Sequence, residues 1–233
     1  MSKDEFTQHI SRQFNEELEE VRSHLLTMGG LVEKQVIEAV DALVNADSAK
    51  AMDVLSVEKK INAMELAIDE ECTRIIALRQ PAASDLRLLV AATKVNIDLE
   101  RVGDEASKVA KMSIELAEDS VLPKGYVEVR HIGAHVCSML RDALDAFARS
   151  DVDAAMDVVR EDSIVDMEYE SAMRQLATFM MEDPRYITRV LNIMWSLRSL
   201  ERIGDHARNI AEQVIYLVRG KDVRHRSLNE LSD

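Results

Sequence analysis

The chain repeats itself. Leu99-Glu-Arg-Val-Gly-Asp-Glu-Ala-Ser-Lys-Val-Ala110 returns as Leu200-Glu-Arg-Ile-Gly-Asp-His-Ala-Arg-Asn-Ile-Ala211, with seven of twelve positions identical and two more exchanging Val for Ile. Upstream, Asp41-Ala-Leu43 matches Asp142-Ala-Leu144, and Ala51-Met-Asp-Val54 matches Ala155-Met-Asp-Val158. Ile61, Met64, Glu65 and Pro81 match Ile164, Met167, Glu168 and Pro184. The copies stay 101 to 104 residues apart, as expected of a duplicated unit of about 100 residues with small insertions or deletions in its loops. Whatever fold the chain adopts is therefore built twice.

Each unit reads as three helices. Only 7 Gly and 3 Pro punctuate 233 residues, too few for the frequent turns of a sandwich, barrel or doubly wound sheet. Leu18, Val21, Leu25, Val32, Val36, Val40 and Leu43 keep helical spacing up to an Asn45-Ala-Asp-Ser48 break, where Asp47 or Ser48 suits an N-cap. A second helix runs to about Arg79, and Pro81 opens a third that ends near Glu118. The second unit repeats the plan over 128–149, 152–181 and 185–219. The expectation is an all-α fold of two tandem three-helix bundles, six long antiparallel helices in all. The bundles occupy 1–118 and 128–219, with a linker at 119–127 around Pro123 and Gly125 and a polar tail at 220–233.

Charge narrows the partners. With 43 acidic against 29 basic residues the net charge is −14, which repels nucleic acid phosphates and anionic lipid. The longest charge-free stretches, Ser23 to Val32 and His131 to Leu140, fall short of the roughly 20 apolar residues of a membrane span. Asp4 and Glu5 stand where a signal peptide would place positive charge and an apolar run. Cys72 and Cys137 form no CxxC or paired framework, so a reduced cytoplasm is expected.

The recurrent carboxylates are the candidates for chemistry. Glu100 and Asp104, and their copies Glu201 and Asp205, sit four residues apart on one flank of an apolar helical stripe. Like charges at that spacing repel by a few tenths of a kcal/mol unless a cation offsets them. A bound hard or borderline cation would do so; so would an interhelix salt bridge to Arg101, Arg202 or a neighbouring helix. Glu65 and Glu168 lie inside apolar stripes, the first among Ile61, Met64, Ile68 and Cys72, the second near Ile164, Met167, Leu176 and Phe179. A buried carboxylate needs an Arg, a metal or access to water. Gly103 and Gly204 recur mid-helix at a cost of about 1 kcal/mol each, which close helix–helix approach or a distorted turn would explain.

Other motifs exclude more than they suggest. His131 and His135 share a helix face but lack the Glu of a zincin. A ferritin-like, carboxylate-bridged metal enzyme needs two Glu-x-x-His motifs, and Glu128-x-x-His131 is the one match. Phosphate loops, dinucleotide fingerprints and nucleophile elbows are absent from the sequence.

Taken together, the doubled L-E-R-[VI]-G-D-x-A, the segment Arg79-Gln-Pro-Ala-Ala-Ser-Asp-Leu-Arg87, Met28-Gly-Gly30 and Asp145-Ala-Phe-Ala-Arg-Ser-Asp151 resemble the PhoU family over nearly the whole chain. The resemblance implies a cytoplasmic, non-enzymatic adaptor, a homodimer or higher homo-oligomer, that regulates phosphate transport and homeostasis. Its implied partners are the ATPase subunit of the phosphate ABC transporter and a PhoR-type sensor histidine kinase, through which it would meet the membrane and hold the phosphate-starvation response off. It also implies metal binding at acidic motifs, by iron, zinc, magnesium or manganese; those motifs map to Glu100/Asp104 and Glu201/Asp205. The ferritin-like enzyme stands as the alternative. The second unit departs from the first at Pro184-Arg-Tyr-Ile-Thr-Arg189, so its third helix is not expected to start in the same way.

Overall fold

The computed structural model describes residues 3–117 and 126–223. Among them lie six α-helices: α1 (Lys3–Asn45), α2 (Ser48–Arg79), α3 (Ala83–Ala117), α4 (Tyr126–Arg149), α5 (Val152–Glu182) and α6 (Ile187–Arg219). A short 3-10 turn, Pro184–Tyr186, precedes α6. The expected linker lies outside the described residues up to 125, as does the tail beyond 223.

The first turn of each repeat is built alike. Ala46 and Ser150 take left-handed φ values of 52° and 53°, ending α1 and α4. The next residue, Asp47 or Asp151, donates its N–H to the carbonyl of Ala42 or Ala146 at 2.9 Å, closing the preceding helix. The same Asp side chain then caps the following helix, accepting from Lys50 N–H in one repeat and from Asp153 and Ala154 N–H in the other.

The third helices start differently. Pro81 does not open α3: Gln80 is left-handed at φ 48°, residues 80–82 form a connection, and the helix begins at Ala83. In the second repeat Asp183 caps Arg185 N–H and Pro184 starts the 3-10 turn.

These turns correct the register of the repeat. Ala42 and Ala146 play one role, so Asp41-Ala-Leu43 corresponds to Asp145-Ala-Phe147 and not to Asp142-Ala-Leu144. Along the second helices, buried Ala51, Val54, Ile61, Ile68 and Cys72 fall 104 residues before buried Ala155, Val158, Val165, Ala172 and Leu176. Ile164 and Met167, placed beside Glu168 by the sequence match, are exposed.

Packing follows from burial. α1, α2 and α3 form one bundle and α4, α5 and α6 the other, with α3 against α6 and α1 against α4 joining them. Ion pairs and hydrogen bonds fix the central pair as antiparallel: Arg202 meets Glu105, Asn192 meets Glu115, and both His206 and Asn209 reach Asp98. The core is Leu, Ile, Val, Ala and Met, with Phe147 the largest fully buried side chain. Cys72 and Cys137 are free, and burial pushes both thiols up to about 11. No helix among the described residues is long and apolar enough to cross a membrane.

Glycines mark close approaches, unevenly. A Cβ at Gly133 of α4 would meet Val40 of α1 at 2.7 Å, and one at Gly103 would meet Gln35 and Ile61 at 3.2 Å. At Gly204 the nearest atoms stand at an ordinary 3.6 Å, so close approach accounts for Gly103 and not for its copy. Gly204→Ala is therefore expected to stabilise by about 0.5–1 kcal/mol through helix propensity. Gly133→Ala is expected to cost about 1–2 kcal/mol, because β-branched Val40 has little room to turn. Urea denaturation of the two variants checks the opposite signs.

Candidate functional site

The second repeat gathers four carboxylates. Glu201 and Asp205 on α6 face Asp162 and Asp166, one turn apart on α5, closely enough that the two α5 carboxylates raise both Glu201 and Asp205. Glu201 is 9% exposed, more enclosed than its flank position suggested. Burial first, and then Asp205, push its carboxyl up to about 7 against the pull of Arg198. Asp205 is raised by burial and by Asp162 and Asp166, and Asp166 by burial and Asp162.

Arginines supply part of the compensation. Arg198 donates to Glu201 Oε1 at 2.6 Å, and Arg208 donates from Nη1 to Asp162 at 2.9 Å and from Nε to Glu212 at 3.1 Å. Glu201 Oε2 is buried with no hydrogen-bond partner. An orphaned carboxylate oxygen amid mutually repelling acids fits a cation that takes oxygen ligands. Among the described residues, no three His, Cys, Asp or Glu side chains already converge on one ion position.

The first repeat has a looser counterpart. Glu100 is raised by burial, then by Asp104, Glu65 and Glu58, with Arg101 opposing. The structure thus brings both Glu65 and Asp104 to Glu100. Glu58 and Asn62 occupy the positions of Asp162 and Asp166, so this cluster has an amide where the other has a carboxylate.

Glu168 goes elsewhere. In the corrected register its counterpart is Met64, and it turns toward α4, where its two oxygens pair with His131 Nε2 at 3.0 Å and His135 Nδ1 at 3.2 Å. Its partners are therefore two histidines, which the sequence reading did not link to it. Asp162 and Asp166, the residues that reading missed, carried a legible signal: they repeat the acid-x-x-x-acid spacing of Glu201/Asp205.

Comparisons with known proteins agree with this architecture. The family model described as the PhoU domain matches residues 25–113 and again 129–214. The chain is 64% identical over 233 residues to the phosphate-specific transport system accessory protein PhoU homolog of Pseudomonas aeruginosa, covering 100% of this chain and 96% of that one. It is 49% identical to PhoU of Escherichia coli K12, covering 96% and 92%. The crystal structure of PhoU from Pseudomonas aeruginosa superimposes with a TM-score of 0.88 at 65% identity, covering 89% of this chain and 100% of that one. That of the regulatory protein PhoU from Streptococcus pneumoniae gives 0.83 at 29% identity, covering 90% and 99%. With both repeats matched and the helical plan shared, the chain belongs to the PhoU family, whose members are regulatory accessory proteins and not enzymes.

Proposed function

We propose that the chain is a cytoplasmic adaptor and negative regulator of the phosphate-starvation response. It couples the ATPase subunit of the phosphate ABC transporter to a PhoR-type sensor histidine kinase and modulates uptake. The observation that carries this reading is the likeness of both repeats, over the whole chain, to accessory proteins of phosphate-specific transport. The ferritin-like enzyme considered from sequence is set aside: the family is non-enzymatic, and His131 of its one Glu-x-x-His pairs with Glu168.

An adaptor acts by differential affinity. Broad, rigid helical faces suit it, provided one state of the transporter or kinase is bound more tightly than another, since equal affinity shifts nothing. The chain works as a homodimer or higher homo-oligomer and reaches the membrane through its partners. Metal ions, iron, zinc, magnesium or manganese, would be held by Glu201, Asp205, Asp162 and Asp166, and by Glu100, Asp104 and Glu65. Such an ion supplies positive charge that relieves carboxylate repulsion and locally inverts a field otherwise hostile to anions.

Loss of the gene is expected to switch phosphate-starvation promoters on in phosphate-rich medium, read with a reporter fusion. The immobilised chain is expected to retain the ATPase subunit and the kinase's cytoplasmic region. Repressed promoters in the deletion strain, with neither protein retained, would overturn the reading.

A further inference from the structure

A groove of about 480 Å³ runs along the α3–α6 seam, apolar at its floor and cationic at its rim. Its centre is Trp195, the one tryptophan in the chain, which stays 64% exposed. Leu191, one turn earlier on α6, is also exposed, and Met112 of α3 lines the groove. Lys108, Arg198 and Arg202 form the rim. Trp, Met and Arg are the residue types enriched at protein interfaces, and Trp and Arg dominate their energetics.

Charge selects the occupant. Glu105 is shared by Lys108 at 2.9 Å and Arg202 at 2.7 Å, while Glu201 holds Arg198. Of the charged residues that line the groove, three are cations and one, Glu105, is a carboxylate, a cationic lining in a chain of net charge −14. The cation side chains remain 50, 49 and 45% exposed for Lys108, Arg198 and Arg202, so each keeps donors for an outside acceptor. At the groove's other end Glu115 binds Asn192, which sets a polarity along the groove. Three cations are too few for a phosphate backbone against −14.

We propose that this groove is a docking site for an acidic segment of a partner protein, with an apolar side chain seated on Trp195 and carboxylates on Lys108, Arg198 and Arg202. The proposal rests on the adaptor reading above and adds the surface and the chemistry of its occupant. Burial of an indole at the centre of an interface carries much of the affinity, and the rim charges add encounter rate and orientation.

The test uses the full chain, immobilised, with the purified ATPase subunit and the kinase's cytoplasmic region as the probes. Trp195→Ser and Lys108→Gln/Arg202→Gln are compared with wild type after circular dichroism shows both folded. Trp195→Ser, at an exposed position, is expected to weaken binding of one probe about tenfold or more. The charge variant is expected to weaken it less and to flatten its dependence on salt between about 0.1 and about 0.5 M. Equal affinity for wild type and Trp195→Ser with both probes would overturn the docking site and leave the adaptor reading intact. Retention of neither probe by wild type would remove both. A fall in the oligomeric state of Trp195→Ser by sedimentation, with probe binding unchanged, would assign the groove to a second copy and also overturn the proposal.

Discussion

Glu201→Gln is expected to make the metal-free protein more stable at pH 8, by about 2 kcal/mol. The carboxyl rises from an ordinary 4.5 to about 7 on folding. The stability that its protonation contributes is full below pH 4.5 and is lost as pH climbs through 7. The whole rise corresponds to about 3 kcal/mol, at about 1.4 kcal/mol per tenfold change in proton affinity. Loss of the charged contact to half-exposed Arg198 offsets part of it. In a chain of this size the gain amounts to a melting temperature about 4–8 °C higher, measured in chelator by thermal unfolding at pH 5 and pH 8. A difference of equal size at both pH values would contradict the assignment of the strain to Glu201 ionisation. Manganese or zinc is expected to raise the wild-type melting temperature at pH 8 and to raise that of Glu201→Gln/Asp205→Asn by less, because only the first-repeat site remains. Calorimetric titration of that double variant would show the second site lost, and unchanged stoichiometry would remove these residues as ligands.

Arg208→Met is expected to destabilise by about 3–4 kcal/mol near neutral pH. Its guanidinium reaches two carboxylates whose side chains are 5% and 6% exposed, Asp162 and Glu212. Removing it leaves both uncompensated in a region already crowded by Asp166 and Asp205. The loss should shrink toward pH 5, where carboxyls raised by burial, such as Glu212, begin to take up protons. Adding Asp162→Asn to Arg208→Met should restore part of the stability, because the amide no longer needs a cation. Urea denaturation of the single and double variants measures the coupling, and strictly additive effects would count against the pair.

The contrast between Glu65 and Glu168 shows how far sequence reaches here. Helix number, turn positions and the tandem plan follow from spacing, Asp caps and scarce glycine, all local properties of the chain. Facing residues depend on rotation about each helix, and there an error of one residue turns a side chain by about 100°. Matching Ile61 to Ile164, where burial pairs it with Val165, made Glu168 the copy of Glu65 within an apolar stripe; the fold places it against His131 and His135. Asp162 and Asp166, which the fold sets against Glu201 and Asp205, went unselected although their spacing was legible. Asp41-Ala-Leu43 was similarly captured by Asp142-Ala-Leu144 because Asp145-Ala-Phe147 follows within one turn. The antiparallel meeting of α3 and α6, which creates the Trp195 groove, is a long-range contact that helical periodicity does not encode.

The α3–α6 seam also governs how the molecule transmits a push. Each of these helices is the wall of its own bundle and of the other, and Asp98, His206 and Asn209 pin them together across the join. Val40 against Gly133 and Leu144 against Gly29 lock α1 to α4 in the same way. Among the described residues the repeats are thus joined along two helix pairs, and the chain is expected to move as one beam. A partner that displaces one end is then expected to carry the other with it, reorienting a bound protein without any helix being remodelled.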